Sequence, residues 1–397
     1  AATALLFLMS YRYLEINQEH HGEYYALALL AQTGMYFMAT GAELITLFLG
    51  IELTAISFYI LVGFVRWDRG ANEASLKYLL LGGLASGFIL YGFSLLYGIA
   101  GSTRLSEISL AVSRRGAADP FVLLAVITVT AGLLFKISAV PFHMWTPDAY
   151  DGAPTPVTGY LSVASKIAAL AVLLRLLPFS LNSVRSIWEP ILIVASVASL
   201  TVGSIAALTQ NRLKRLFAYS SIAHAGYILL GIISGTVTGL RGVYVYLLIY
   251  AVMNLGAFVV LVSLRRRGIT GETLADLRGL ATTHPIHAGL FVVLLLSLAG
   301  MPPTAGFLAK YYIFIALIET QHYLLAAVAA AYVVVSLYYY FRLVREMYFR
   351  DAQTTEPLAA SWGIRFSLFA TVALTLFIGL FPEPVLRLGF HLTGLSQ

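Results

Sequence analysis

Glu52, Lys136, Lys166, His224 and Lys310 each interrupt a stretch that is otherwise apolar enough to lie in lipid. A charged side chain at the middle of a bilayer costs at least about 2.5–3.5 kcal/mol, so such groups usually face a hydrated interior and mark an ion path. A carboxylate, an imidazole and three amines can each hold and release a hydrogen ion. Together they make movement of protons or cations the leading chemistry. Lys77 and Lys214, the remaining lysines, lie at segment edges. Reaching to the headgroups accounts for Lys77 well and for Lys166 poorly.

Local context sharpens each assignment. Glu52, in ITLFLGIELTAISFYIL, is deep enough to need a partner, and a nearby ammonium would favour its ionised form. A helix-pairing salt bridge is the plainer alternative. Glu43 falls about 13 Å back along the same helix, at 1.5 Å per residue, where water is at hand. Lys166 follows Pro156 by ten residues, some 15 Å into its helix, with Ser162 and Ser165 beside it to order water. His224 occupies an apolar helix in which hydrogen bonding between helices is the competing role. Lys310, near the end of a long segment, could instead reach solvent. Asp148 and Asp151 read better as caps than as proton carriers. Tyr219, Ser220, Ser221 and Thr304 are weaker candidates for a water wire, and His143 flanks a helix end with Asp148.

The elements holding these residues are membrane helices. Hydrophobic residues make up 59% of the 397 positions and charged residues 11%, against about 25% charged in soluble domains. The chain has no cysteine, which excludes disulfides and thiolate-held clusters, and no P-loop, dinucleotide fingerprint or HExxH motif. Its +6 charge is scattered in short loop clusters, a pattern of topology signals and not of nucleic-acid binding. Beyond a short N-terminal run, apolar segments near 24–41, 43–65, 75–100, 120–147, 155–178, 187–209, 216–234, 241–264, 285–318, 322–349 and 363–382 predict one polytopic helical bundle. The opening run is too short to cross, and we expect the natural start to lie upstream. Basic residues crowd the loops around Arg66–Arg69, Arg212–Arg215, Arg265–Arg267 and Arg342–Arg350, which predicts a cytoplasmic location for that side.

Two segments look broken. Pro141 follows Lys136 by five residues, and Pro302–Pro303, flanked by Gly300 and Gly306, precede Lys310. Proline removes an intrahelical donor, and inside a bilayer the freed carbonyls must face protein or water. The interruptions fall in the fourth helix of each of two five-helix units, 24–178 and 187–349, where paired breaks point to a transport site. Residues 1–23 and a C-terminal helix within 350–397 flank the two units. An odd number of helices per unit makes the two inverted. Ordinary proline kinks are the alternative, weakened by a lysine beside each.

The stretches LLFKISAVPFHMWTPDAYDGAPTPV, YLSVASKIAAL, RLKRLFAYSSIAHAGY and GMPPTAGFLAKYY resemble the antiporter-like membrane subunits of respiratory complex I, the N type more than M or L. The resemblance implies an all-α polytopic fold with inverted five-helix repeats, each with a broken helix, and with further N-terminal helices missing here. It implies that Glu52, Lys136, Lys166, His224 and Lys310 are proton-transfer groups. It implies no cofactor in this chain, with FMN, iron–sulfur clusters and quinone in other subunits. The partners it implies are the M- and K-type neighbours, subunits A, J, H and L of the same arm, lipids, protons and water. The expected setting is a bacterial plasma membrane, with the thylakoid as alternative. The expected function is proton translocation within an NADH:quinone oxidoreductase. A cation/proton antiporter subunit of the Mrp type and a non-pumping scaffold are the alternatives.

Overall fold

A computed structural model describes residues 2–265, 271–352, 358 and 361–392. Ala1, Arg266 and Arg267 of the expectations above, and parts of the C-terminal segment 350–397, lie outside the described residues. Helices in chain order are α1 (Ala2–Ile16), α2 (Gly22–Thr40), α3 (Leu44–Val62), α4 (Arg69–Ala100), α5 (Leu105–Arg115), α6 (Pro120–Lys136), α7 (Trp145–Gly152), α8 (Thr155–Tyr160) and α9 (Lys166–Leu174). After them come α10 (Arg185–Thr209), α11 (Leu213–Ser234), α12 (Val237–Leu264), α13 (Leu280–Thr283), α14 (Pro285–Ala299), α15 (Ala305–Glu319), α16 (Tyr323–Tyr348), α17 (Trp362–Leu380) and α18 (Glu383–Leu392). Among the described residues, eight helical segments are long and apolar enough to cross a membrane.

Two compact units emerge. One comprises residues 22–154 and 164–199, the other 1–21, 155–163 and 200–397. In the first, α2 lies along α3 and α4 along α6. Small residues make this possible, because lipid supplies no hydrophobic drive between helices and close backbone approach must do the work. A Cβ on Gly34 would meet the Gly50 carbonyl at 2.8 Å, and one on Gly132 would meet the Ala85 carbonyl at 2.9 Å. In the second unit α12 is central, packed on α8, α11, α14, α15 and α17. Every residue of α11 except Arg215 and Tyr219 is buried.

Both predicted breaks exist, and they are built alike. At the end of α6, Ala139 N–H donates to the Leu134 carbonyl (2.9 Å) and Ser138 N–H to Phe135 (3.0 Å). At the end of α14, Met301 donates to Leu296 (3.0 Å) and Gly300 to Ser297 (2.9 Å). This paired C-terminal closure needs one left-handed residue. Gly300 (φ 87°) fills that place in one break and Ser138 (φ 65°) in the other. Each break also holds a cis X–Pro peptide, Val140–Pro141 and Pro302–Pro303. Donors left over are met by serines: Val140 N–H donates to Ser199 Oγ (2.9 Å), and Gly306 N–H to Ser297 Oγ (3.0 Å).

A second likeness links the units. Just before α3, Glu43 forms an isolated antiparallel bridge with Arg104; just before α11, Arg212 does so with Thr273. The bonds match one for one: Leu44 N–H to Thr103 O (2.9 Å) and Leu105 to Ala42 (3.1 Å), then Leu213 to Glu272 (2.7 Å) and Leu274 to Asn211 (2.9 Å).

Sequence periodicity did not reveal two features. α5 is short and amphipathic, burying Leu105, Ile108 and Val112 at helical spacing, so no long apolar run announces it. Leu161–Ser165 and Arg175–Ser180 are π-turns flanking α9. The predicted break in 285–318 leaves two helices of 15 residues each.

Candidate functional site

In the first unit, α3 presents Glu52 and α6 presents Lys136, its last residue. Glu52 interacts electrostatically with both Lys136 and Tyr59, one helical stretch further along α3. No ion pair within 4.0 Å joins the two charges among the described residues, and Glu52 Oε1 is buried without a hydrogen-bond partner. The Lys136 ammonium donates instead to Ser86 Oγ of α4 at 3.3 Å, where α4 and α6 lie together. Tyr59 OH is also buried and unpartnered, its ring pressed to Gly82 and set edge-on to Tyr78 at 4.7 Å. Tyr78 stacks at 4.4 Å on Trp145, whose Nε1 donates to the Phe135 carbonyl at 3.0 Å. The aromatic stack therefore braces the residue preceding Lys136 across the break.

Lys166 is the first residue of α9, directly after the π-turn, and is 3% exposed. Such turns free a backbone register inside a helix and recur at functional positions. The helix packs on α2 and α6 within the same unit.

In the second unit, His224 of α11 is 3% exposed, and its Nδ1 lies 2.7 Å from the hydroxyl of Tyr246 on α12. Tyr250 sets its ring 5.1 Å from the imidazole. Lys310 of α15 is 4% exposed and does not reach outward, as its place near a segment end allowed. Its ammonium donates to the carbonyls of Ala299 (2.7 Å) and Leu298 (3.4 Å), the open end of α14. A helix C-terminus carries partial negative charge and unsatisfied carbonyls, so a cation there satisfies both. The same ammonium lies 4.8 Å from the centre of the Tyr227 ring. Tyr227 is one turn beyond His224 on α11, so it lies between the two ionisable groups in sequence and in contact.

The weaker candidates divide. Ser220 bonds the Tyr340 hydroxyl. Ser221 and Thr304 donate to carbonyls three residues back. Ser162 donates to the Gly159 carbonyl and accepts from Asn254 at 2.7 Å. Asp148 pairs with Lys77 at 3.1 Å, beside Glu73 at 2.7 Å, so Lys77 is an ion-paired residue. Sequence reasoning missed Ser86, Tyr59, Tyr246 and Tyr250. Only Tyr246 and Tyr250 left a signal, a four-residue spacing that puts two hydroxyls on one face of an apolar helix. Among the described residues, no cluster of histidine and carboxylate side chains could hold a metal ion.

Residues 41–336 match the family model described as NADH:quinone oxidoreductase/Mrp antiporter, transmembrane. The chain belongs to this family. The NADH-quinone oxidoreductase subunit N 2 of Solibacter usitatus is 57% identical over 388 residues, 98% of this chain and 79% of that protein. The subunit N 2 of Rhizobium meliloti is 45% identical over 387 residues, 98% and 80% of the two chains. Among solved structures, a chain of respiratory complex I from Thermus thermophilus with bound aureothin superposes with a TM-score of 0.81 at 35% identity, covering 97% of this chain and 84% of that one. A chain of the Mrp complex from Dietzia gives 0.85 at 22% identity, covering 98% and 80%, a likeness of fold alone. This family is one of multi-pass membrane subunits, and the all-α antiporter-like fold expected from the motifs is the one observed.

Proposed function

We propose that this chain is a proton-translocating membrane subunit, of the N type, in an NADH:quinone oxidoreductase. Electrons pass from NADH to quinone elsewhere in the complex, where FMN and iron–sulfur clusters reside, and this chain carries no redox centre. The observation that carries the reading is the pairing of an ionisable amine with each broken helix. Lys136 ends one half-helix, and Lys310 holds the open carbonyls of the other. A buried amine at backbone left open by a break is placed where water can enter and protons can be exchanged.

In this reading residues 24–178 and 187–349 are the two inverted repeats, preceded by 1–23 and followed by the helix within 350–397. Quinone chemistry alters the charge beside Glu52. Glu52 and Lys136 interact electrostatically, so a change at one alters proton holding at the other. Lys166, His224 and Lys310 then take up and release the proton in turn. Moving one charge against 100 mV needs about 2.3 kcal/mol, a modest demand for interactions between groups held out of water. The membrane neighbours are the M- and K-type subunits, with A, J, H and L in the same arm. The arginine-rich loops face the cytoplasm of a bacterial cell.

Lys136→Met in the assembled complex tests this directly. Proton yield per NADH, measured in sealed vesicles, is expected to fall while the complex still assembles. Full assembly with unchanged yield would overturn the route. Sodium-driven proton exchange by the purified chain alone would favour the antiporter reading instead.

A further inference from the structure

A cage of phenols surrounds His224. Tyr246 and Tyr250 reach it from α12, and Tyr227 from its own helix, with ring centres at 5.9, 5.1 and 6.5 Å. Tyr339 and Tyr340 of α16 are in electrostatic reach of the same phenols, and α15 contributes Lys310 over the Tyr227 ring. Where α10 meets α11, at Gly203, residues 200–209 bring no titratable side chain. Of these hydroxyls, Tyr227 is committed to the Ala329 carbonyl at 3.1 Å and Tyr340 to Ser220. Tyr246 is committed to the imidazole.

We infer that Tyr246 is a positioning residue for proton transfer at His224. Its oxygen takes the Nδ1–H bond and holds the ring, so that Nε2 is the nitrogen that gains and loses the proton. A phenol suits this task because it can accept from Nδ1–H whether the ring is neutral or cationic, with no charge of its own to compete. Fixing one nitrogen through a hydrogen bond also decides which tautomer the other presents. Tyr250, its ring tilted 47° to the imidazole, confines the rotation of that ring. No bond to carbon forms or breaks: one hydrogen ion joins Nε2 and one leaves it. The inference rests on the proton-transfer role proposed for His224.

The test uses the assembled complex in proteoliposomes, with pumping followed across pH for Tyr246→Phe, His224→Gln and the double variant. Tyr246→Phe keeps the ring and removes the oxygen. Pumping is expected to fall about tenfold, the scale of one charge-assisted hydrogen bond, and the shape of the pH profile to change. In the His224→Gln background the same change is expected to add nothing, because both substitutions act through one group. Unchanged pumping and pH profile in Tyr246→Phe, or independent losses that multiply in the double variant, would overturn the positioning role. If His224→Gln itself pumps normally, the failure lies with the proton-transfer reading. Should Tyr246→Phe not assemble, difluorotyrosine at position 246 keeps shape and bond while weakening the oxygen as acceptor. An altered pH profile then supports the inference, and an unaltered one overturns it.

Discussion

Lys310 closes the end of α14 with the same amine that the proposed route uses to carry a proton. Gly300 makes room for that arrangement. A Cβ there would meet Lys310 Cδ at 2.8 Å, and the backbone at φ 87° is one that L side chains resist. Gly300→Ala is therefore expected to cost about 1–2 kcal/mol in backbone strain and to push the amine off its carbonyls. The readouts are a lower thermal midpoint of the complex and a lower proton yield. Ser138 holds the matching place in the other break, with its hydroxyl buried and unpartnered. Ser138→Gly relieves strain and loses no hydrogen bond, so its midpoint is expected to rise or hold; a clear drop would refute the likeness of the two breaks. The lysines and prolines were legible in the sequence because a charge or a missing donor inside an apolar run has few inexpensive explanations. Ser86, Tyr59 and Tyr246 were not, because a hydroxyl on a membrane helix is as readily a packing group until its partner from another helix is known.

Helices are positioned by what they lack. Gly34 and Gly50 put the backbones of α2 and α3 in contact two residues before Glu52, and a Cβ on Gly50 would meet the Gly34 carbonyl at 2.7 Å and Met38 N at 2.8 Å. Neither atom belongs to a side chain that can swing away. Gly50→Val is expected to exceed the usual overpacking cost of about 1–3 kcal/mol. The measurement is the amount of subunit retained in membranes, and normal accumulation would show that the crossing is not needed. Element positions were well legible, since long apolar runs and proline breaks carry strong signals. The π-turns beside Lys166 were opaque: hydrogen-bond register within a helix is set by neighbouring helices, which a single run of residues does not record.

For the molecule as a whole, the proposed route is serial, and serial steps fail together. Glu52→Gln and Lys310→Met are each expected to lower proton yield per NADH by the same amount. Combining them should lower it no further, which proton-to-electron ratios in vesicles can decide. A larger loss in the double variant would mean two independent paths. The twin bridges ahead of α3 and α11 narrow what such a route can be made of. Each fastens the start of an acid- or imidazole-bearing helix to a neighbouring connection by two N–H···O bonds. A piston stroke of either helix would have to tear both bonds. In the proposed route, what moves is then side chains and solvent, with the starts of α3 and α11 held by their bridges.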